Sequence, residues 1–85
     1  MASVQFTDRA REALHSLHIG NQQRIKAAAK DLGTNPYLGE ALKERLQGFY
    51  SLHVGKYRAI YSIEGEVVTI HYVGHRREVY KTFRG

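Results

Sequence analysis

The chain contains no cysteine, a single proline and a single methionine. Without cysteine it has neither disulfides nor thiolate metal ligands, so ordinary side chains must hold the core together, and a cytoplasmic location is the expected one. Long apolar runs are missing as well. No stretch approaches the roughly 18 residues needed to cross a bilayer, and the opening MASVQFTDRAREAL lacks the apolar segment of a secretory signal. No membrane partner is expected. Phosphate-cradling glycine motifs, nucleophile elbows and internal repeats are also absent. Acid is scarce beside base, 8 Asp and Glu against 13 Lys and Arg, a formal charge of +5. That balance favours a polyanionic partner such as nucleic acid. With 85 residues the chain has room for one domain, residues 1–85.

What is present is concentrated in the last third, FYSLHVGKYRAIYSIEGEVVTIHYVGHRREVY. Three alternating segments are joined by VGKY and IEGE, each with a glycine inside a plausible two-residue loop. Such loops pair their flanking residues, which sets Val54 opposite Tyr57 and Ile63 opposite Glu66. Counting back from the turns puts His53 across from Arg58 and Arg58 across from His71, with Ser51, Ile60 and Thr69 in the next row of the same face. The opposite face then carries Tyr50, Leu52, Val54, Tyr57, Ala59, Tyr61, Val68, Ile70 and Tyr72. Strand side chains alternate with period two, so one face is apolar and the other cationic. The tail beyond adds His75, Arg76, Arg77, Lys81 and Arg84 around a single acid, Glu78.

Earlier in the chain, Ser3 to Phe6 alternates briefly and is placed to add a strand. Thr7 reads as a helix N-cap with Asp8 in the first turn, and Ala10, Leu14 and Leu17 at helical spacing predict about three turns. Ile19-Gly20-Asn21 interrupts the pattern. Asn21 is then expected to cap a second helix with an Ile25, Ala28, Ala29 and Leu32 stripe, closed by Gly33 and blocked by Asn35-Pro36. Residues 37–48 read as an ordered connection with one helical turn. The sum is an α+β domain of order βααβββ: two N-terminal helices packed on one face of an antiparallel sheet of about four strands, with room for a short C-terminal element. The helices bury the apolar face and leave the Arg/His face uncovered.

The run GKYRAIYSI, the Val-rich strand after it and the closing VGHRREVY together resemble the RelE/ParE toxin superfamily. The closer likeness is to the RelE-type messenger-RNA interferases of bacterial and archaeal toxin–antitoxin pairs. The likeness covers nearly the whole chain, including the paired helices and EALKERLQGFYSLHVG. It implies an endoribonuclease without metal or other cofactor that cuts messenger RNA in the ribosomal A site and is silenced by a cognate antitoxin. It also implies roles for Arg58, Arg76 and Tyr80. RelE proteins of the best-known type carry two lysines on the preceding strand, where this chain has Ser51 and His53, and that leaves the general base open. The superfamily allows two other readings: a ParE-like poison of DNA gyrase without nuclease activity, and a degenerate member that only binds antitoxin or RNA.

The residues themselves fit phosphodiester cleavage. Attack of the ribose 2′-hydroxyl on the adjacent phosphate needs a base, cations for the phosphorane oxygens and an acid for the leaving 5′-oxygen. Arg58, always charged and forked, suits the middle role. An imidazole beside an arginine is driven toward its neutral form, which makes His53 and His71 candidate bases. Tyr80, a phenol with a pKa of about 10, needs nearby cations such as Arg76, Arg77 and Lys81 to become acidic, and its ring could stack on a base. Lys56, His71, His75, Arg77 and Lys81 are candidate substrate-binding residues. Each of these has a plain alternative as a solvated or packing side chain. His71 and His75 are four apart, a spacing that converges on a metal in a helix but not in a strand broken by Gly74, so no metal site is expected.

Overall fold

The structure, a computed structural model, describes residues 2–85. Strand β1 (Ser3–Phe6) leads into helices α1 (Asp8–His15) and α2 (Ile19–Thr34). A two-residue strand β2 (Glu40–Ala41) and a 3₁₀ turn (Glu44–Leu46) follow. Strands β3 (Phe49–Val54), β4 (Tyr57–Glu64) and β5 (Val67–His75) come next, and a single helical turn α3 (Val79–Thr82) ends the fold. The sheet order is β1-β5-β4-β3-β2. The sheet is antiparallel except that β1 pairs parallel to β5. The α+β class, the packed helices and the short tail element agree with the sequence reading, and β2 brings the strands to five.

The helices form where their apolar spacing allows a buried stripe. Thr7 caps α1, its hydroxyl accepting from the Ala10 N–H at 3.0 Å, and Ala10 and Leu14 face inward. The helix stops after two turns rather than three. Helix α2 starts earlier than expected: His18, not Asn21, is the N-cap, with its ring nitrogen accepting from the Gly20 N–H. The helix then runs through Gly33. Gly33 serves a different purpose from a C-cap. Its carbonyl accepts from the Ala2 N–H at 2.8 Å, and a Cβ there would sit 3.1 Å from the Ala2 carbonyl, so a bare backbone lets β1 dock against α2. Ile25, Ala29 and Leu32 of α2 join Leu14, Leu52, Ala59, Tyr61, Val68, Ile70 and Val73 in the larger core.

The register of the first hairpin is as predicted, Val54 opposite Tyr57 and His53 opposite Arg58. The second is not. Glu64 pairs with Val67 and Ile63 with Val68, so the loop is Gly65-Glu66, with Gly65 at φ +60° and Glu66 no longer opposite Ile63. A bulge then interrupts β5: Tyr61 pairs with Ile70 but Ile60 with Tyr72, leaving His71 as the extra residue. Arg58 consequently lies across from Gly74, not His71. Past the bulge the faces exchange, so Val73 enters the larger core while Tyr72 leaves it for the opposite side.

That opposite side is not bare, as the sequence reading had it. Leu46, Ile60, Val79 and Phe83 are buried there with Leu42, Phe49, Tyr72 and Tyr80 packed around them. Arg9 fastens the C-terminal turn over this second layer, its guanidinium 4.9 Å from the Tyr72 ring centroid and bonded to the Thr82 carbonyl at 3.1 Å. His71 belongs to the same layer. Its Nε2 lies 2.7 Å from Ser62 Oγ, and the ring meets Phe49 edge-on.

The connection between α2 and β3 is tied down by one buried phenol. Tyr61 is fully buried; its hydroxyl donates to the Pro36 carbonyl at 2.7 Å and accepts from the Gly39 N–H at 2.9 Å. Burial is the largest cause of its raised pKa. Tyr61→Phe removes both bonds of this phenol to the part-buried Gly39 N–H and Pro36 C=O and should cost about 1–2 kcal/mol in denaturant unfolding. A loss below about 0.5 kcal/mol would show that the two groups find other partners.

A pH effect follows from His71. Partial burial lowers its pKa below 6.5, partly offset by the Glu64 charge, so the native state favours the neutral ring. Stability is therefore fully present above the unfolded value and declines as pH falls from about 6.5 through the lowered native pKa. His71→Gln should flatten this part of the stability–pH curve. An unchanged slope would mean that other groups cause it.

Candidate active site

The first hairpin builds one end of the site. Gly55, at φ +61°, makes the two-residue turn with Lys56. Arg58 follows on the face that carries the second layer, and its Nη1 donates to the carbonyls of Gly55 at 3.1 Å and Tyr57 at 2.9 Å. Both bonds use the same nitrogen, which leaves Nε and Nη2 as a two-pronged edge for an anion. Beside it across the ladder stands His53, half exposed, with Nε2 3.7 Å from Glu40 Oε2 on β2. The carboxylate is an exposed neighbour of the imidazole, a contact absent from the sequence reading because β2 is too short to register as a strand.

Tyr80 enters the same face from α3. Its hydroxyl donates to Ser51 Oγ at 2.9 Å, and Ser51 is 1% exposed. Ser51 occupies the row next to His53, paired with Ile60. Tyr80 also lines a shallow hollow with Lys43, Glu44, Arg45 and Leu46. Lys43 and Arg45 were not singled out from the sequence, where they belong to a segment without clear periodicity. Both line the hollow beside Tyr80 together with the acid Glu44.

The remaining candidates divide by face. The Arg76 N–H donates to the Lys56 carbonyl at 2.8 Å, which closes the tail onto the hairpin turn. The Arg76 side chain lines a groove on the helix side of that turn with Lys56, Tyr57, Asn21 and Arg24. His75 lies on the helix side too, its ring edge-on to Tyr57 at 5.7 Å, and its Nδ1 accepts from the Arg77 N–H at 3.2 Å. Arg77 and Lys81 are exposed. His71 is not brought to Arg58: the bulge carries it to Ser62, and burial rather than arginine repulsion lowers its pKa. Among the described residues no group of three or more His, Cys, Asp or Glu side chains gathers as a metal ion would require, and no helix is long and apolar enough to cross a membrane.

These placements can be set beside known proteins. Residues 4–80 match the family model described as the ParE toxin of the type II toxin–antitoxin system parDE. The chain is 37% identical over 87 residues to Toxin RelG of Mycobacterium tuberculosis, spanning 93% of this chain and 95% of that protein. The toxin–antitoxin complex RelBE2 of the same organism superposes with a TM-score of 0.83 at 34% identity, covering 88% of this chain and 98% of the other. The archaeal RelE–RelB complex of Pyrococcus horikoshii shares the fold, with a TM-score of 0.71 at 24% identity over 88% of this chain and 94% of the other. The family match over residues 4–80, the paired helices on the sheet, the closing helical turn and identity above 30% over nearly the full length lead to one conclusion: the chain is a toxin of a type II toxin–antitoxin system and belongs to the RelE/ParE superfamily, with RelG and RelBE2 among the proteins it is similar to.

Proposed function

We propose that this toxin is a ribosome-dependent endoribonuclease that cuts messenger RNA without a metal cofactor. The observation that carries this reading is the placement of Arg58, His53 and the Ser51–Tyr80 pair in adjoining rows of one sheet face. In the step proposed, a base removes the proton of the 2′-hydroxyl, O2′ attacks the adjacent phosphorus, and the P–O5′ bond breaks. The products are a 2′,3′-cyclic phosphate on the upstream fragment and, once an acid supplies a proton, a 5′-hydroxyl on the downstream one. Arg58 offers its free Nε–Nη2 edge to the phosphorane oxygens, already positioned by the turn carbonyls and so requiring little reorganisation. Arg76 adds positive charge from the hairpin tip. His53, across the ladder from Arg58 and with Glu40 nearby, is the first choice for base, and Tyr80 serves as acid or stacks on a nucleobase once its hydroxyl leaves Ser51. Lys43, Lys56, Arg77 and Lys81 supply charge for RNA phosphates. The ribosome supplies the substrate positioning that so open a face lacks.

A cognate antitoxin restrains the toxin. Strand β1 has a neighbour on one side only, and an apolar groove between it and α2 is lined by Val4, Phe6 and Ala29 and flanked by Lys26 and Lys30. Ile19, Tyr37 and Leu38 are large apolar side chains left exposed. Such surfaces suit a partner segment that folds on binding. If the chain does not co-purify with the product of an adjoining reading frame, the antitoxin must be removed from this account.

Single-turnover cleavage of ribosome-bound message tests the catalytic reading. Arg58→Ala should lose on the order of a hundredfold, the range typical of removing one charge-stabilising donor, and Arg76→Ala should lose rate as well, both with unchanged unfolding curves. His53→Gln or Tyr80→Phe, whichever carries the proton, should remove the limb of the pH–rate profile that reports it. The family model is described as a ParE toxin, which keeps a second reading, the ParE-like poison of DNA gyrase without nuclease activity. Toxicity retained by these variants, with intact messages and falling gyrase activity, would establish it instead.

A further inference from the structure

The turn that holds Arg58 is gripped from its other side by a residue of α2. A Cβ built on Gly55 would lie 3.0 Å from Arg24 Nη2 and 3.5 Å from its Cζ. The guanidinium therefore lies directly on the bare backbone of Gly55, while Arg58 bonds that residue's carbonyl. The positive φ of Gly55 is what calls for glycine there, and its bare backbone leaves the space that the Arg24 guanidinium occupies. Around Arg24 the groove continues with Lys56 and Arg76 as further cations. Asn21, one helical turn before Arg24, reaches Tyr57 Oη with its amide at 3.4 Å.

Charge in this groove is uncompensated. Among the described residues the basic side chains within reach of a carboxylate are Arg11, beside Asp8, and His53, beside Glu40, and no acid lines the groove. Arg24, Lys56 and Arg76 are all exposed, so three permanent cations converge on one concavity with their donors unspent on carboxylates. Packing does not require Arg24: the buried stripe of α2 is Ile25, Ala29 and Leu32.

We propose that Arg24, with Lys56 and Arg76, forms a subsite for an RNA backbone phosphate next to the one being cleaved, and that Arg24 is a positioning residue for the substrate strand. This rests on the ribonuclease reading for its purpose but not for its chemistry. The strand crosses the hairpin tip, with the scissile phosphate at the Arg58 edge on one face and a neighbouring phosphate in the Arg24 groove on the other. A single phosphodiester accepts several N–H donors at once, which matches converging guanidinium and ammonium groups. Continuity with Arg58 through the shared Gly55 favours RNA over an acidic peptide as the occupant.

The test uses the full chain and a fluorescent, uniformly 2′-O-methylated RNA oligonucleotide, which cannot undergo 2′-attack, titrated by anisotropy over a salt series. Arg24→Ala should weaken binding on the order of tenfold and reduce the slope of log affinity against log salt by about 0.7, the loss of one phosphate contact on a single strand. Arg24→Lys should keep the slope. In single-turnover cleavage on ribosomes, Arg24→Ala should raise the half-saturating toxin concentration with little change in the saturating rate. An unchanged slope in Arg24→Ala overturns the subsite, even if the parent chain cuts messages. A reduced slope with no message cleavage by the parent leaves the subsite standing and removes the ribonuclease reading. Weakened binding of a polyglutamate peptide in Arg24→Ala, with RNA binding intact, assigns the groove to an acidic protein segment and overturns the proposal.

Discussion

One extra residue in β5 decides how the molecule presents its chemistry. Between the Tyr61–Ile70 and Ile60–Tyr72 pairs the ladder absorbs His71, and everything beyond it changes face. Tyr72 is thereby available to stack on Phe83 and to sit beneath Arg9, while Val73 takes its place over the helices. Gly74 then falls opposite Arg58, where a side chain would meet Tyr72 at 3.1 Å and Val79 at 3.4 Å. The bulge and this glycine together let α3 lie close to the sheet, and α3 delivers Tyr80 to Ser51. Without the extra residue, Tyr72 would point at the helices, and the second layer would lose the ring that Phe83 and Arg9 lean on.

The face opposite the helices therefore has two regions with different tasks. Toward the β4–β5 turn it is a small core, closed by Phe49 and Phe83 and carrying the Ser62–His71 pair. Toward the β3–β4 turn it opens to solvent, with Arg58 and His53 at its edge and Tyr80 at the boundary. A closed layer fixes the α3 backbone, so the boundary residue is held by packing rather than by chance. Arg58 is held differently, by two carbonyls of a turn whose geometry requires Gly55. Preorganised donors of this kind stabilise developing charge more effectively than flexible side chains in water.

Much of this was legible in the chain. Helical spacing located α1 and α2, and the GK turn fixed the pairing of His53 with Arg58, because a two-residue loop with a glycine leaves little freedom in register. The second turn misled because IEGE contains one glycine but two ways to centre a two-residue loop, and the choice moved the pairing by two residues. Period-two counting cannot see a bulge, since Ile70, His71 and Tyr72 look as regular as any strand triplet. The second layer was missed for a related reason: Leu46, Val79 and Phe83 come from short elements with no periodicity to read. Arg24 stood unnoticed beside Ile25 because a helix sequence shows which residues share a face, not which loop that face meets. The superfamily resemblance implies roles for Arg58, Arg76 and Tyr80, yet it does not show that Arg76 lines a groove on the helix side of the hairpin.

The central claim is that this face directs a ribose 2′-hydroxyl at its own phosphate. End-group analysis of messenger fragments cut on purified ribosomes addresses it without any substitution. Attack by the 2′-oxygen leaves a 2′,3′-cyclic phosphate, or the 3′-phosphate formed on its opening, on the upstream fragment and a free 5′-hydroxyl on the downstream fragment. Downstream fragments that accept labelled phosphate from a polynucleotide kinase without prior dephosphorylation are the expected result. Downstream fragments bearing a 5′-phosphate, with a 3′-hydroxyl upstream, would contradict the account, since those ends require water or another external nucleophile in place of the 2′-hydroxyl.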